Sequence, residues 1–378
     1  MITVRKAELE SKLTQVVERL KNLQRPANEN AIAATMKDGG SSVGLFPRDF
    51  GMEPWDWPQG VGLYGMYNLY CINRDPATLD FIKAWYQRHF QTGLPVRNIN
   101  TTVPLLTLSY IMTELGEEYT GLCEDWAEWV VKSLPKTEEN GFQHTTTQDA
   151  AQGTINLNQG QLWIDTLFMT VLFLARMGSV TRNPQYQGEA LRQYLIHIKY
   201  LYEKKTGLFY HGWSFIENSN FGGIFWCRGN SWYTSSIMDF VEILGEQLDP
   251  GVKEFLVDTY RAQVDALIAL QADSGLWHTV LDDPQSYQEV SGTAGIAYGI
   301  LKGVRLGYLD QRYEVPAFKA ITAVIANIDE TGTIQNVSAG TGMGMNREHY
   351  RNIIIAPMAY GQSLVIMALG EMLRHLPE

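Results

Sequence analysis

Cysteine is scarce in this sequence, with three residues in a chain of 378. Cys71, Cys123 and Cys227 are odd in number and lie far apart, which argues against a disulfide framework and favours a reducing compartment. The seven histidines are scattered, and neither a CxxC nor an HExxH spacing occurs. Because metal sites need ligands at short, regular spacings, we expect no metal ion and no other cofactor.

Long apolar runs and positive charge are also in short supply. No apolar stretch reaches the roughly 18 residues that a membrane-spanning helix needs, and residues 1–8 lack the apolar segment of a signal peptide. We therefore expect a cytoplasmic protein without a membrane partner. The formal net charge of −11 argues against a nucleic-acid partner, and an anionic substrate would need a local cation. Nothing in the sequence indicates an oligomeric state.

Apolar helical segments that end in glycine are abundant. Glycine just beyond a helix is the usual left-handed cap. Such segments recur about every 63 residues, and a regular period of this size predicts a repeat architecture. The terminal glycines are Gly116, Gly178, Gly245, Gly307 and Gly370.

Start signals for a second set of helices follow several of these segments. Asp75-Pro76, Asn183-Pro184 and Asp249-Pro250 each place a capping side chain before a proline at the first helical position. The helices that follow are amphipathic, whereas those that precede are uniformly apolar, as buried helices are. The patterns predict twelve helices, at residues 6–22, 58–71, 76–91, 101–115, 118–134, 159–177, 184–203, 229–244, 250–271, 290–306, 314–327 and 357–374.

Twelve helices that alternate between buried and amphipathic predict an all-α fold, an (α/α)6 barrel of six helical hairpins. We expect it to form a single domain over residues 1–378. Short links join each buried helix to the next amphipathic one, and long links lead from there to the next buried helix. In such a barrel all the long links lie at one end, where we expect the functional site.

Tryptophan gathers in the long links and at the starts of the inner helices. Its ring stacks on the apolar CH faces of sugars, so a group of tryptophans at an open barrel end favours a carbohydrate site. For any one of them, plugging the barrel is the alternative. Seven of the ten tryptophans lie in these regions, namely Trp55, Trp57, Trp163, Trp213, Trp226, Trp232 and Trp277.

One long link ends in an arginine at the start of a predicted helix. Arg228 lies between Trp226 and Trp232 in the sequence, at a predicted helix N-terminus. A guanidinium offers two parallel donors to a carboxylate, and the helix dipole favours an anion further. Arg228 is therefore our candidate for the local cation, and a structural ion pair is the alternative.

Histidines and a glycine-rich loop are two further features of the long links that bear on ligand binding. His144, His211 and His278 lie in three long links, where neutral imidazoles fit as donors to sugar hydroxyls or a carboxylate. The glycine-rich loop 340–344 has no preceding strand, so it does not indicate a nucleotide site. It favours close backbone approach to a ligand or tight packing at the barrel mouth.

One carboxylate has apolar surroundings. Asp165 lies within residues 158–169, which we interpret as the start of a buried helix capped by Asn158. Two turns into that helix the dipole no longer stabilises an anion, so burial should raise the pKa of Asp165, as a general acid requires. A structural aspartate bound to a neighbouring helix is the alternative. The other acidic residues at this end lie mostly in polar or turn contexts: Asp49, Asp56, Asp149, Asp282, Asp283 and Glu289.

A set of motifs runs along the chain in a recognisable order. They are Trp57-Pro58-Gln59-Gly60, Asn98-Ile99-Asn100-Thr101-Thr102, Gly141-Phe142-Gln143-His144, Gly160-Gln161-Leu162-Trp163-Ile164-Asp165, Trp226-Cys227-Arg228-Gly229-Asn230 and Gly275-Leu276-Trp277-His278. This set resembles glycoside hydrolase family 105, the unsaturated rhamnogalacturonyl hydrolases. The resemblance covers nearly the whole chain and rests on the set, because no single motif is specific.

The resemblance implies an (α/α)6 barrel and a particular activity. This is the release of Δ4,5-unsaturated galacturonic acid from the non-reducing end of small pectin-derived oligosaccharides. It implies that Asp165 protonates C4 of the vinyl ether, that water adds at C5, and that the hemiketal then opens and the aglycone leaves. One acid is enough for this chemistry. The substrate contacts that the resemblance implies are Trp57, His144, His211, Trp226, Arg228 and Trp232.

The chain departs from some relatives at one position. Those relatives place a second aspartate near the loop that here contains Asn100. An amide can bind a hydroxyl but cannot share a proton, so we expect Asn100 to contact substrate and leave open any role for a second acid. Three rivals remain: an unsaturated glucuronyl hydrolase acting on glycosaminoglycan fragments, an inverting glycosidase that pairs Asp165 with Asp283 or Glu289, and a sugar-binding barrel without activity.

Overall fold

A computed structural model describes residues 5–24 and 49–376. The first half of the described chain holds α1 (Lys6–Asn22), α2 (Trp57–Asn73), α3 (Pro76–Thr92), α4 (Ile99–Leu115), α5 (Glu117–Lys132), α6 (Leu172–Thr181) and α7 (Pro184–Leu201). The second half holds α8 (Cys227–Leu244), α9 (Pro250–Ala269), α10 (Val290–Arg305), α11 (Glu314–Ala326), α12 (Arg347–Arg351) and α13 (Ala359–Leu373).

Six of these helices form a closed inner ring. α2, α4, α6, α8, α10 and α13 each pack against the next, and α13 packs against α2. Outer helices α3, α5, α7, α9 and α11 each pack on the inner helix that precedes them, while α1 packs on α13. The fold is the predicted (α/α)6 barrel, and its sixth hairpin pairs the last inner helix with the first outer helix of the chain.

The helix starts follow the predicted capping chemistry. The side chains of Asp75, Asn183 and Asp249 each accept hydrogen bonds from backbone N–H groups in the first turns of α3, α7 and α9. A proline follows each cap at the first helical position. These signals act within a few residues of each other, which is why the outer helices could be placed from the sequence.

Short strands lie in or beside three of the long links. They are β1 (Thr146–Asp149), β2 (Thr154–Asn156), β3 (Gln161–Trp163), β4 (Tyr202–Glu203), β5 (Leu208–Phe209), β6 (Gly212–Ser214), β7 (Trp277–His278) and β8 (Gln288–Glu289). They pair antiparallel in four two-stranded sheets, β1 with β2, β3 with β6, β4 with β5 and β7 with β8. The β3–β6 pair joins two links that are far apart in sequence.

The predicted helix 159–177 begins later than expected. Asn158 does not cap it, since its backbone has φ of 41° and its side chain donates to the carbonyl of His144 at 2.8 Å. Gly160, at φ 68°, turns the chain into β3, and helical structure begins with a π-helical turn at Leu167–Val171 that continues into α6. A short apolar run fits a buried strand as well as a helix, and pairing with β6 decides for the strand.

A buried polar network ties three inner helices together away from the long links. Lys302 on α10 donates to Asp239 on α8 at 2.6 Å, and Tyr64 on α2 donates to the same carboxylate oxygen at 2.5 Å. Tyr298 donates to the second oxygen at 3.0 Å. Each buried charge therefore has a partner, and the network fixes how α2, α8 and α10 sit against one another.

None of the helices in residues 5–24 and 49–376 is long and apolar enough to cross a membrane.

Candidate active site

A cavity of about 430 Å³ opens at the end of the barrel where the long links lie. Its wall combines inner-helix starts with link residues, as expected from the repeat. Six of the eight residues predicted to act on or contact the substrate lie in this wall: Trp57, Asn100, His144, Asp165, Trp226 and Arg228.

Asp165 lies where β3 gives way to helical structure. Its carbonyl accepts from the backbone N–H groups of Phe168 at 3.1 Å and Met169 at 3.0 Å, so it stands at the beginning of the first helical turn. The prediction that it sits two turns inside a helix is therefore wrong. At this position the unpaired N–H groups of the first turn favour a negative charge.

His211 contacts the Asp165 carboxylate. His211 Nε2 lies 3.4 Å from Asp165 Oδ2, and neither atom has another hydrogen-bond partner in the described part of the chain. This distance is long for a hydrogen bond, so the two groups are in contact without a well-formed hydrogen bond.

The pKa of Asp165 is lowered. Burial alone would raise the pKa, but the hydrogen-bonding and Coulombic effects of His211, with a smaller contribution from His144, outweigh it. The predicted rise is wrong because the helix starts at Asp165 and because His211 comes from a distant link. Asp165 is consequently a carboxylate near neutral pH before substrate binds.

His144 is held as a neutral ring in the wall. It stacks on Trp163 with ring centres 4.4 Å apart and planes within 7°, and its Nδ1 lies 2.9 Å from the Thr166 hydroxyl. Burial lowers the pKa of His144 to about 4, despite the opposing effect of the nearby Asp165 charge. A neutral imidazole at this place can exchange hydrogen bonds with a sugar hydroxyl.

Arg228 is deeply buried, with 1% of its surface exposed. Its guanidinium lies between two rings, 4.6 Å from the centre of Trp226 and 4.8 Å from that of Tyr360. Trp232, its neighbour in sequence, is not the second ring. One edge of Arg228 reaches the cavity wall.

The donors of Arg228 are largely engaged by the last long link. The two terminal nitrogens donate to the hydroxyls of Ser291, Ser338 and Thr341 and to the carbonyls of Ser338 and Ala339, at 2.6–3.1 Å. Glu289 Oε1 lies 3.6 Å away. Arg228 thus holds the loop that carries Gly340 and Gly342 into the cavity wall, in addition to giving that wall positive charge.

Of the aromatic residues predicted to contact the substrate, some lie in the cavity wall and others lie behind it. Trp57 lies in the wall and stacks on Tyr360, with ring centres 4.5 Å apart. Trp232 is fully buried behind Trp57, edge-on at 6.2 Å. His211 likewise lies behind the wall, where it touches Asp165. Direct contact of Trp232 with a substrate stays a prediction, and its observed contact is with Trp57.

Most other carboxylates at this end already serve the fold. Asp283 pairs with Arg351 at 2.7 Å. Glu289 accepts from the backbone N–H groups of Ser291 and Gly292 and so caps α10. Neither lies in the cavity wall. In residues 5–24 and 49–376, no three His, Cys, Asp or Glu side chains group as metal ligands would.

The wall also contains residues for which the sequence predicted no role in the reaction or in substrate contact. Trp163 was named only among the tryptophans at this end of the barrel, and strand alternation would have placed it on one face with Asp165. Asp49 was named only among the acidic residues in polar or turn contexts, and it is 1% exposed in the wall. The β1–β2 hairpin contributes hydroxyls and amides, from Thr146, Thr147, Gln148 and Asn156.

Comparison with known proteins agrees with this architecture. The family model for Glycosyl Hydrolase Family 88 matches residues 46–376. The chain belongs to glycosyl hydrolase family 88. As a member of this family it is a glycoside hydrolase.

Two relatives of this family 88 chain match over most of their length. The unsaturated rhamnogalacturonyl hydrolase YesR of Bacillus subtilis is 32% identical over 334 residues, which cover 87% of this chain and 93% of YesR. A crystal structure from Klebsiella pneumoniae, described as a possible member of the GH105 family, is 40% identical with a TM-score of 0.89. That match covers 99% of this chain and 95% of the other, and the resemblance stated from the motifs is confirmed.

A more distant structure shares the fold alone. The unsaturated glucuronyl hydrolase of Bacillus sp. GL1 matches with a TM-score of 0.68 at 17% identity, over 97% of this chain and 96% of the other.

Proposed function

We propose that this family 88 hydrolase releases Δ4,5-unsaturated galacturonic acid from the non-reducing end of pectin-derived oligosaccharides of the rhamnogalacturonan type. The observation that carries the proposal is the Asp165 carboxylate, held beside His211 in an aromatic-lined cavity. The name and 32% identity of the relative YesR support the choice of sugar.

The proposed reaction starts at the double bond of the sugar. Asp165 delivers a proton to C4, and the positive charge that develops at C5 is shared with the ring oxygen. A water molecule then adds at C5 and returns a proton to the Asp165 carboxylate. The resulting hemiketal opens, and the aglycone leaves from C1. The same group acts first as acid and then as base, so one carboxylate suffices.

Asp165 must acquire its proton when substrate binds. Its pKa is lowered by its protein surroundings, which leaves a carboxylate. The substrate brings its own carboxylate into the cavity and displaces water. Both changes disfavour a second negative charge and raise the pKa of Asp165. Proton uptake and binding of the anionic sugar are therefore linked.

The remaining wall residues have separate proposed roles. Arg228 supplies positive charge for the sugar carboxylate, and Trp57 and Trp226 offer apolar faces to the ring. His144 and Asn100 contact hydroxyl groups. His211 contacts Asp165 and helps to orient it.

A glycosidase with two working carboxylates is the rival reaction. The partners considered for Asp165 were Asp283 and Glu289, and both are engaged outside the wall, with Arg351 and with the start of α10. Asp49 does share the wall with Asp165. Hydration nevertheless requires one acid only, whereas the rival requires Asp49 to be the second.

A matched pair of substrates tests the proposal. We expect the enzyme to cleave a disaccharide of Δ4,5-unsaturated galacturonic acid linked to rhamnose, and to leave the saturated galacturonyl-rhamnose intact. Hydration needs the double bond, whereas an ordinary glycosidase does not. Release of rhamnose is measured for both, with unsaturated glucuronyl disaccharides as a third arm. Equal cleavage of the saturated disaccharide would contradict hydration, and a preference for the glucuronyl substrates would overturn the choice of sugar.

A further inference from the structure

Tyr350 connects the last long link to the proposed acid. It lies on α12, is fully buried, and its hydroxyl oxygen is 2.7 Å from Nδ1 of His211. The other ring nitrogen of His211 faces Asp165. Three side chains from separate links thus lie in a row: Tyr350, His211 and Asp165. The proposed mechanism gives roles to His211 and Asp165 but none to Tyr350.

The hydrogen atoms of this row can be assigned by counting. The Tyr350 oxygen accepts from the backbone N–H of Gly344 at 3.3 Å, and the phenol has one proton to donate. Its two acceptors within reach are His211 Nδ1 at 2.7 Å and the Met343 sulfur at 3.9 Å. Thioether sulfur is a weak acceptor. The phenol proton is therefore directed to Nδ1, which leaves Nε2 as the ring nitrogen that carries a proton.

We propose that Tyr350 is a positioning residue that fixes His211 as the Nε2–H tautomer and thereby selects which oxygen of Asp165 carries the acid proton. With Nε2–H directed at Oδ2, that oxygen is kept as an acceptor. The proton for C4 is then held on Oδ1. The catalytic part of this inference rests on the proposed function, while the tautomer itself does not.

We expect Tyr350, and not the other titratable groups near Asp165 and Tyr350, to set the tautomer of His211. Asp165 faces His144 and, further away, His197 on α7, and burial lowers the pKa of each histidine to about 4. Both rings are therefore neutral near pH 7. His349 packs edge-on against Tyr350 at 5.1 Å and faces the phenol ring.

Nitrogen NMR of the histidine side chains tests the tautomer in the whole protein. For wild type we expect His211 to have a protonated Nε2 and a bare Nδ1, with its signals assigned by their loss in His211→Gln. In Tyr350→Phe we expect that preference to disappear. A wild-type His211 with its proton on Nδ1 overturns the proposal, and this spectrum decides even if Tyr350→Phe does not fold.

Kinetics on the unsaturated disaccharide test the consequence. We expect Tyr350→Phe to lower kcat roughly tenfold while KM stays within about twofold, because proton delivery is affected and sugar contacts are not. Without the donor to Nδ1, Nε2–H of His211 becomes a weaker donor to the Asp165 carboxylate, and the pKa of Asp165 rises. The fall of kcat on the basic side of its pH profile should therefore move to higher pH.

A matched control separates this role from loss of a buried hydroxyl. Tyr194 is also fully buried and donates one hydrogen bond, to Ser236 at 2.8 Å, between an outer and an inner helix. Tyr194→Phe should leave kcat and its pH profile unchanged. Identical kinetics for the two phenylalanine variants would overturn the positioning role. If wild type does not act on the disaccharide, the proposed function fails, and the NMR result still decides the tautomer.

Discussion

Asp165→Asn is expected to lower kcat on the unsaturated disaccharide by at least about a thousandfold, because the side chain serves as both acid and base. Asparagine has nearly the same shape and can still accept from His211, so KM and the thermal unfolding midpoint should change little. The loss is measured as the initial rate at which the absorbance of the unsaturated sugar disappears.

Two further substitutions of aspartate by asparagine show how that loss of activity should be interpreted. Asp282 is exposed at the same end of the barrel and pairs with Arg347, and Asp282→Asn should keep activity within about twofold. Asp49→Asn tests the rival with two carboxylates. A loss as large as that of Asp165→Asn would favour the rival, and substantial activity in Asp165→Asn would refute the assigned acid.

Arg228→Ala is expected to damage both substrate binding and the fold. Removing the cation should raise KM by roughly tenfold to a hundredfold, since the wall then no longer offers a positive charge to the sugar carboxylate. Glu289 is fully buried 3.6 Å from the guanidinium and would lose its counter-charge. The free energy of unfolding should therefore fall by about 3–5 kcal/mol. Chemical denaturation and steady-state kinetics measure the two effects.

A second variant separates the two effects of Arg228. Thr341→Val removes one hydrogen bond between Arg228 and the last long link without removing charge. It should disturb that link while Glu289 keeps its partner, so the free energy of unfolding should change much less than in Arg228→Ala. An Arg228→Ala protein that folds and shows an unchanged KM would rule out a role in binding the sugar carboxylate.

The barrel could be predicted because its signals are local and repeated. Asp249 caps α9 from the residue before a proline, and Gly245 has a positive φ at the end of α8. Such signals depend on a few neighbouring residues, and the cap before proline recurs in α3 and α7. Two of the predicted terminal glycines, Gly178 and Gly370, lie inside α6 and α13 instead. The start of β3 could not be predicted in the same way, because its pairing partner Trp213 is in another link.

The candidate site was predictable as a set of residues but not as an electrostatic environment. Asp165 stood out by its apolar neighbours in sequence, and the repeat placed it at the end of the barrel where the long links lie. Its lowered pKa depends on His211, which reaches it from a different link. Tyr350 is 139 residues beyond His211, and no sequence pattern connects the two.

The contacts of Arg228 likewise could not be predicted from the sequence. Its position at the start of α8 was predicted, as was its availability to an anion. The hydrogen bonds to Ser338 and Thr341 come from a link more than a hundred residues away. The structure therefore adds a second role, holding that link in place, which changes what an alanine substitution measures.

If Asp165 protonates C4 before the aglycone leaves, proton NMR of the first turnovers in D2O will detect that step. We expect one solvent deuterium on a single face of C4, with the double-bond signal lost no later than rhamnose appears, and neither change in Asp165→Asn. Release of rhamnose together with a free sugar that still contains its C4=C5 double bond would refute protonation at C4.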